Sequence, residues 1–303
     1  MITLKQLSYA VAVQKTLHFK KAADECAVSQ SALSTAIAEL ETQLGVQIFE
    51  RDNKRVLVTP LGEIILRKAQ AINLEVQELY QLSHSQNAPL SHPMALGVIP
   101  TIGPYLLPKV LPEVRRQYPD FELTLIEEQS HVLVEKVRSG EIDTAILALP
   151  YDTEGLHAFT FWEEDFLVVV NESGGYSKLK KISTNQLKDA PLLLLKDGHC
   201  LKDHALAACK LQSTEMQNAV AGTSLPTLVQ MVAGRMGATL VPEMAVDQLV
   251  ADNPEIRAVP LDEPGPHRKL AFITRLNYGG TANIELLMRL FREQLTGIQT
   301  SEK

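Results

Sequence analysis

Residues 192–211 read Leu-Leu-Leu-Leu-Lys-Asp-Gly-His-Cys-Leu-Lys-Asp-His-Ala-Leu-Ala-Ala-Cys-Lys-Leu. The four leucines predict a buried strand, which the turn-forming pair Asp197-Gly198 ends. After Cys200 the apolar side chains recur at helical spacing among good helix formers, so we expect a helix from Leu201 to about Ala208. A buried strand that leads into a helix is typical of an α/β fold.

Two cysteines flank this predicted helix. An α-helix rises about 1.5 Å per residue, so the steps from Cys200 to Cys209 would separate the two sulfurs by roughly 13 Å. A disulfide requires Cα atoms within about 7 Å of each other. The helix and a bond between these cysteines therefore exclude each other, and the segment is a candidate two-state element whose position is set by sulfur chemistry.

The thiol of Cys200 is expected to ionise. It lies at a helix N-terminus, and Lys196, His199, Lys202 and His204 are near it in sequence; both features lower the pKa of a cysteine. Two other interpretations stay open. The cysteines could be small buried hydrophobic residues, or Cys200 and His204, with His199 and Cys209 close in sequence, could bind a metal at a spacing unlike the known zinc patterns.

The composition indicates a globular protein of two or three domains. The chain has 303 residues, of which 45% are hydrophobic and 21% charged, enough for a full core. It contains no run of 18 or more apolar residues and no signal peptide, so we expect a soluble, cytoplasmic protein. In that compartment, three cysteines argue against a structural disulfide framework.

The net charge of −7 is distributed unevenly along the chain. Residues 1–70 carry nine Lys/Arg and seven Asp/Glu, whereas the rest carry 20 Lys/Arg and 29 Asp/Glu. Binding to phosphates needs a local basic surface rather than a basic whole chain. The charge therefore does not exclude DNA binding by the N-terminal part.

The N-terminal region has the pattern of a winged helix-turn-helix. Helices are predicted over residues 4–16 and 19–25, and a third begins after the N-cap Ser29 and stops at Gly45. The first two turns of the third helix are polar and free of acids, as a recognition helix requires. The candidate DNA contacts there are Gln30, Ser31, Ser34 and Thr35, and those in the hairpin that follows are Arg51, Lys54 and Arg55.

A long helix follows, with Thr59 as its N-cap and Pro60 as its first residue. It should extend to about Ser83. Its apolar residues repeat at the spacing of a helix-pairing seam, which favours a homodimer; packing onto its own domain is the alternative. The seam consists of Ile65, Ala69, Ile72, Val76 and Leu79.

Beyond the polar linker 84–93, strands alternate with helices, which predicts two α/β halves with mostly parallel sheets and a cleft between them. Ligands of such sheets bind outside the carboxyl ends of strands. Thr101, Ser130 and the pair His199-Cys200 each follow a strand end. We therefore expect a small polar pocket beside a thiol.

Several N-terminal motifs resemble those of the LysR-type transcriptional regulators. They are Ala22-Ala23, Val28-Ser29-Gln30-Ser31-Ala32-Leu33-Ser34, Leu40-Glu41, Leu44-Gly45-Val46, Phe49-Glu50-Arg51 and Thr59-Pro60-Leu61-Gly62. The resemblance implies a winged helix-turn-helix (1–58), a dimerising linker helix (59–87) and a regulatory domain (88–303) like a periplasmic binding protein. Within the regulatory domain, subdomain I would comprise about residues 88–164 and 268–303, and subdomain II about residues 165–267. Ser31 stands where many members have proline.

The downstream chain is similar to the hydrogen peroxide sensors of that family. The motifs are Gly97-Val98-Ile99-Pro100-Thr101-Ile102-Gly103-Pro104-Tyr105-Leu106-Leu107-Pro108, Ile146-Leu147-Ala148-Leu149 and Asp197-Gly198-His199-Cys200-Leu201 with Cys209. The similarity implies that Cys200 is the peroxidatic thiol and Cys209 the resolving one. It further implies a peroxide pocket formed by Thr101, Ser130, Gly198, His199 and Arg268.

The resemblance also implies an activator of oxidative-stress genes that binds promoter DNA as a homodimer or homotetramer. Its other partners would be RNA polymerase, hydrogen peroxide and thiol reductants such as glutaredoxin or thioredoxin. It implies no cofactor, metal or membrane partner.

Two other functions compete with this interpretation. The first is a LysR-type regulator whose cleft binds a small organic effector. The second is an enzyme, either a thiol peroxidase or a metal-dependent hydrolase. The enzyme is disfavoured because the chain has no Gly-x-Ser-x-Gly motif, no phosphate-binding loop and no zinc spacing.

Overall fold

The computed structural model describes residues 1–52, 55–85, 89–188, 191–196, 198–209, 220–222 and 224–301. The chain forms two compact units, Met1–Gln86 and Asn87–Lys303. Each unit has a hydrophobic core of its own.

The first unit is a three-helix domain with a hairpin and a long helix. Its core packs around Leu33, Ile37, Leu40 and Phe49. The elements are α1 (Leu4–Thr16), α2 (Phe19–Glu25), α3 (Gln30–Leu44), β1 (Phe49–Asp52), β2 (Arg55–Val58) and α4 (Pro60–Ser85).

The ends of these helices confirm the capping predicted from the sequence. The Ser29 hydroxyl accepts a hydrogen bond from the backbone N–H of Ala32 at the start of α3. Gly45 ends α3 in the left-handed conformation, with φ of 67°, which glycine adopts without a steric cost. The Thr59 hydroxyl accepts from the N–H of Gly62 at 2.9 Å and starts α4.

The predicted seam of α4 divides into two parts. Ala69 is buried in the core of its own unit, and the partly buried Ile65 packs against that core. Further along, Ile72 is 46% and Leu79 is 66% exposed. The alternative of packing onto its own domain therefore applies to the first part of the helix, while apolar side chains stay exposed on the second.

The second unit contains a five-stranded sheet in the order β4-β3-β5-β12-β6. Strands β3, β4 and β5 are parallel, whereas β12 runs antiparallel to both β5 and β6. The strands are β3 (Met94–Val98), β4 (Leu123–Glu127), β5 (Thr144–Leu149), β6 (Leu156–Glu164) and β12 (Arg268–Arg275). The helices of this half are α5 (Gly103–Gln117), α6 (Ser130–Ser139) and α11 (Thr281–Ser301).

The other half of the unit is built on a three-stranded sheet, β10-β7-β11, with antiparallel pairs. A parallel pair, β8 with β9, is connected to it by the bridge between Leu192 and Ala238. The strands are β7 (Phe166–Asn171), β8 (Leu193–Leu195), β9 (Val220–Gly222), β10 (Thr239–Pro242) and β11 (Ile256–Pro260). The helices are α7 (Thr184–Lys188), α8 (Cys200–Ala208), α9 (Leu225–Ala233) and α10 (Val246–Leu249).

The prediction of mostly parallel sheets was wrong for the strands at which the chain changes sheet. The chain leaves the five-stranded sheet after Glu164 and returns to it at Arg268, and the strands beside these two crossovers pair antiparallel. Strand β6 is followed directly by β7, and β11 directly by β12, with no helix between them. The predicted alternation of strands and helices therefore did not include β6 and β11.

None of the helices in the described part of the chain combines the length and apolar character needed to cross a membrane.

Candidate functional site around a buried thiol

Cys200 is the first residue of α8 and is only 3% exposed. Cys209 follows the last turn of the same helix and is fully buried, and both thiols are free. The predicted helix is confirmed and begins one residue earlier than expected. Because it is fully wound, the two thiols lie about a helix length apart, on the order of 13 Å.

The groups around the Cys200 sulfur come from distant parts of the chain. The Ser130 hydroxyl and the backbone of Ala148 hydrogen-bond to it, and the guanidinium of Arg268 lies close enough to favour the thiolate. Burial nevertheless outweighs these groups and raises the pKa of Cys200 above its ordinary value. The prediction that sequence neighbours ionise this thiol was therefore wrong, because the cation that lowers its pKa is Arg268 and desolvation is the larger effect.

Arg268 is the central charged residue of the site and is 1% exposed. Its Nη2 lies 2.7 Å from the Oε1 of Glu164, and its Nε donates to the same oxygen at 2.8 Å. Its Nη1 donates to the Thr101 hydroxyl at 3.4 Å, and its Nη2 donates to the Thr101 carbonyl at 3.1 Å. The guanidinium thus contacts Thr101 and also lies close to the Cys200 thiol.

Glu164 holds this arginine in place and joins three segments. It is the last residue of β6 and is paired in register with Arg268, the first residue of β12. Its second carboxylate oxygen accepts a hydrogen bond from the backbone N–H of Met244 at 3.0 Å. The buried ion pair therefore spans both crossovers between the two sheets.

The loop before α8 contains Gly198 and His199. Gly198 has φ of +96°, and a Cβ atom there would come within 2.6 Å of the Gln129 side chain, so both the conformation and the space favour glycine. His199 is half-buried at the N-cap position of α8, and burial lowers its pKa. Its imidazole is therefore neutral near pH 7.

His204 lies one turn after Cys200 and fixes α8 to the first half of the unit. Its Nε2 lies 2.8 Å from the Pro150 carbonyl, which directly follows β5. Its Nδ1 is buried without a hydrogen-bond partner among the described residues. Burial lowers the pKa of His204, so the neutral ring donates from Nε2 to the carbonyl.

A cavity of about 260 Å³ is lined in part by His199, the residue that precedes Cys200. Its lining also includes Thr101, Tyr105, Leu225 and Leu249, whereas Cys200 itself is not a lining residue. Burial, and then the nearby Glu127 carboxylate, raises the pKa of Tyr105 to about 12, so its hydroxyl stays protonated.

The predicted pocket residues do not all lie at the same place. Ser130 and Arg268 surround the thiol, and Thr101 contacts Arg268. His199 faces the cavity, and Gly198 lies on the exposed loop. Cys209 is at the far end of α8, where burial, and then the charge of Glu263, raises its pKa to about 12.

The candidate DNA contacts are in the first unit. Gln30, Ser31 and Thr35 are exposed on the first two turns of α3, and Ser34 is half-buried. Arg51 belongs to β1 and Arg55 to β2, and Lys54 lies outside the described residues.

Metal binding finds no support in the part of the chain that the structure describes, because no group of three or more His, Cys, Asp or Glu there is placed to hold an ion.

Sequence reasoning missed Glu164, Ala148 and the contact of His204. The signal for Glu164 would have been strand β6. Had β6 been recognised and paired with β12, Glu164 would have been placed opposite Arg268. Without that long-range pairing, an acidic residue next to Glu163 and Asp165 is expected on the surface.

We expect the oxidation of Cys200 by peroxide to accelerate with pH. The thiolate is the reacting form, and the raised pKa of Cys200 keeps it a minority at neutral pH. The rate should therefore increase about tenfold per pH unit from pH 6 to 8. Stopped-flow kinetics of the Cys209→Ser variant would measure the rate of Cys200 oxidation at each pH. A rate that does not change over this range would show that the Cys200 thiol is already ionised.

Two family models match the chain. One, described as LysR substrate binding domain, matches residues 87–296. The other, described as bacterial regulatory helix-turn-helix protein of the lysR family, matches residues 4–63.

The chain is also similar to characterised proteins over most of its length. It is 41% identical over 273 residues to the HTH-type transcriptional regulator EstR of Acinetobacter baylyi, covering 90% of each protein. It is 35% identical to the hydrogen peroxide-inducible genes activator of Haemophilus influenzae, covering 90% of this chain and 91% of that protein. Among solved structures, a cysteine-to-aspartate variant of full-length OxyR from Pseudomonas aeruginosa has a TM-score of 0.82 and 34% identity, covering 96% of this chain and 95% of that one.

Proposed function

This chain belongs to the LysR family of bacterial transcriptional regulators, and from this premise we propose that it senses hydrogen peroxide through Cys200 and changes its contacts with promoter DNA. The observation that carries the proposal is the site itself. Cys200, a free and buried thiol, is the first residue of α8 and hydrogen-bonds with Ser130, and the guanidinium of Arg268 also acts on it. A second free thiol, Cys209, lies at the other end of the same helix. The peroxide-inducible activator to which the chain is similar supports the choice of peroxide as the signal.

The proposed reaction has two steps. The Cys200 thiolate attacks one oxygen of hydrogen peroxide, so that an S–O bond forms, the O–O bond breaks and hydroxide leaves. The Cys209 thiol then condenses with the sulfenic acid, forming the disulfide and releasing water. Thr101, Ser130, Gly198 and His199 would position the peroxide, and Arg268 would stabilise the departing hydroxide.

The second step requires α8 to unwind, because the wound helix holds the sulfurs too far apart. Unwinding would remove Leu201 and Ala205 from the core, where both are buried, and would break the bond from His204 to Pro150. The two halves of residues 88–303 would then repack, which gives the oxidation a structural consequence.

The rest of the chain would transmit this change to DNA. We propose that residues 1–58 bind DNA through α3 and the hairpin, and that residues 59–87 dimerise through the exposed apolar part of α4. A homodimer or homotetramer would thereby place several recognition helices on one promoter. RNA polymerase would be the partner in activation.

The proposed site of action is the cytoplasm, where promoter DNA and thiol reductants such as glutaredoxin or thioredoxin meet. Reduction of the Cys200–Cys209 bond would reset the regulator. In this scheme the protein acts as a switch rather than an enzyme, because it reacts once per reduction, and it uses no cofactor.

A footprint of the full-length protein on its promoter, with and without one equivalent of hydrogen peroxide, tests the proposal. We expect the protected region to change with peroxide and to return after addition of dithiothreitol. A footprint that ignores peroxide but responds to an organic metabolite would contradict it.

We expect Gln30→Ala to weaken specific DNA binding. Gln30 is exposed at the start of α3, where a side chain can reach a base edge, and one such contact contributes about 1–3 kcal/mol of discrimination. Fluorescence anisotropy with specific and scrambled DNA would measure the loss. Thr42→Ala is the matched control, because Thr42 is exposed near the end of the same helix; an equal loss in both variants would exclude this role for Gln30.

A further inference from the structure

We propose that His204 makes the disulfide switch sensitive to pH: the neutral imidazole ties the wound helix α8 to Pro150, and release of the helix lets the ring bind a proton, so that acid favours the Cys200–Cys209 bond. The inference rests on the proposed function, because it needs α8 to unwind when the disulfide forms. It adds the proton as a second input to the equilibrium of that switch.

The position of His204 in the helix is the first observation. The residue lies one turn after Cys200 and is 2% exposed. It is therefore inside the segment, Cys200–Ala208, that has to unwind before the two sulfurs can meet. Formation of the disulfide would thus move this imidazole out of its buried surroundings.

The hydrogen bonding of the ring is the second observation. Its Nε2 donates to the Pro150 carbonyl at 2.8 Å. Its Nδ1 is buried, and no group among the described residues hydrogen-bonds to it. A proton on Nδ1 would create a buried cation whose new N–H has no acceptor, and such a group is costly. The wound helix therefore accommodates the neutral ring and excludes the imidazolium.

The charges around the ring are the third observation. Burial is the main cause that lowers the pKa of His204, and the guanidinium of Arg268 in β12 lowers it further. The Pro150 carbonyl and the Asp203 carboxylate on α8 act in the opposite direction but do not outweigh burial. Tyr151 follows Pro150 in the chain, and burial raises its pKa, so it stays uncharged. The surroundings as a whole disfavour the charged ring.

The effect of pH on the helix has a definite direction. In the unwound segment, water would surround the imidazole and its pKa would return to about 6.5, the ordinary value of histidine. In the wound helix the pKa is lower. The wound form is therefore fully favoured by this group above about pH 6.5, and the advantage is lost as the pH falls below that value. Acid shifts the equilibrium towards the disulfide, although it slows the first reaction with peroxide, which needs the thiolate.

The other titratable groups at the helix are two thiols and one histidine. Burial raises the pKa of Cys200 above its ordinary value and that of Cys209 to about 12, so both thiols are protonated in neutral and mildly acidic solution. His199 is half-buried at the start of the helix, and burial lowers its pKa as well. Its contribution has to be measured separately.

The test measures the equilibrium between the dithiol and the disulfide of the full-length protein in glutathione buffers, from about pH 7.5 to about pH 5.5. The exchange converts oxidised glutathione and the protein dithiol into the protein disulfide and two glutathione thiols, so the reaction itself releases no proton. For the wild type we expect the equilibrium constant for oxidation to increase by roughly three- to tenfold over this range. One group that titrates at pH 6.5 only in the unwound form gives about tenfold at most.

Variants assign the effect to one side chain. His204→Gln keeps an N–H donor for the Pro150 carbonyl but cannot bind a proton, so its equilibrium constant should not change with pH. His204→Met, a second non-ionisable side chain, should give an equally flat profile. His157→Gln is the matched control, because His157 is exposed on β6; it should keep the increase of the wild type. His199→Gln should also keep an increase of at least about threefold, and a flat profile there would assign the effect to His199 instead.

The outcomes separate the two proposals. If peroxide produces no Cys200–Cys209 disulfide at any pH, the proposed function itself is wrong. If the disulfide forms but its equilibrium constant in the wild type does not change with pH, only the present inference is overturned. The same holds if the constant increases equally in the wild type and in His204→Gln, since His204 would then have no part in the pH dependence.

Discussion

Replacement of Cys200 by serine is expected to abolish the response to peroxide completely. A serine hydroxyl does not ionise near neutral pH and cannot take up oxygen to form a sulfenic acid, so neither step of the reaction can start. The substitution changes one atom at a site that is 3% exposed, and Ser130 and Arg268 remain beside it. The reduced fold and basal DNA binding should therefore persist, while mass spectrometry detects no peroxide-dependent oxidation and the footprint no longer changes.

The other two cysteines provide the controls. Cys209→Ser should still form a sulfenic acid on Cys200, which a dimedone probe would trap, but no disulfide. Cys26→Ser should respond like the wild type, because Cys26 lies at the end of α2 in the other unit. A peroxide response that survives in Cys200→Ser, or disappears in Cys26→Ser, would contradict the assignment.

The second large effect is expected from Glu164→Gln. This change leaves the guanidinium of Arg268 buried beside a neutral amide, and removal of one partner from a buried ion pair costs about 3–5 kcal/mol. The free energy of unfolding, measured by urea denaturation of the reduced protein, should fall by this amount. Because Arg268 also contacts Thr101, the rate of Cys200 oxidation should fall as well.

The neighbouring pair, Glu163 and Lys269, is a matched control on the same two strands. Its Nζ to Oε1 distance is 2.7 Å, but its side chains are 49% and 52% exposed. Exposed pairs contribute about 1 kcal/mol or less, so Glu163→Gln should change the stability little. Equal losses in the two variants would mean that burial does not determine the strength of the Glu164–Arg268 pair.

The parts of the fold that the sequence predicted well have local signals. Helix α3 is bounded by a serine N-cap and a glycine C-cap, and β5 (Thr144–Leu149) is a short apolar run within the region where the sequence predicts alternating strands and helices. The helix between the cysteines was foreseen from apolar spacing alone and is confirmed. In each case the residues that determine the element are adjacent in the chain.

The parts that were missed depend on contacts between distant residues. Thr101 and Ser130 could be selected because they follow strand ends, but Arg268 was suggested by resemblance only. Its partner Glu164 lies 104 positions away in the sequence, and only the register of β6 with β12 joins them. The pKa of Cys200 was misjudged for the same reason, since burial by the whole fold outweighs the charges that are near in sequence.

The central claim is that peroxide joins two thiols that the wound helix α8 keeps apart. A non-reducing peptide map of the full-length protein, after one equivalent of hydrogen peroxide, tests it most directly. We predict one new species, a peptide pair linked through Cys200 and Cys209, which dithiothreitol removes. A map with no such bridge, or with Cys200 joined mainly to Cys26, would contradict the account.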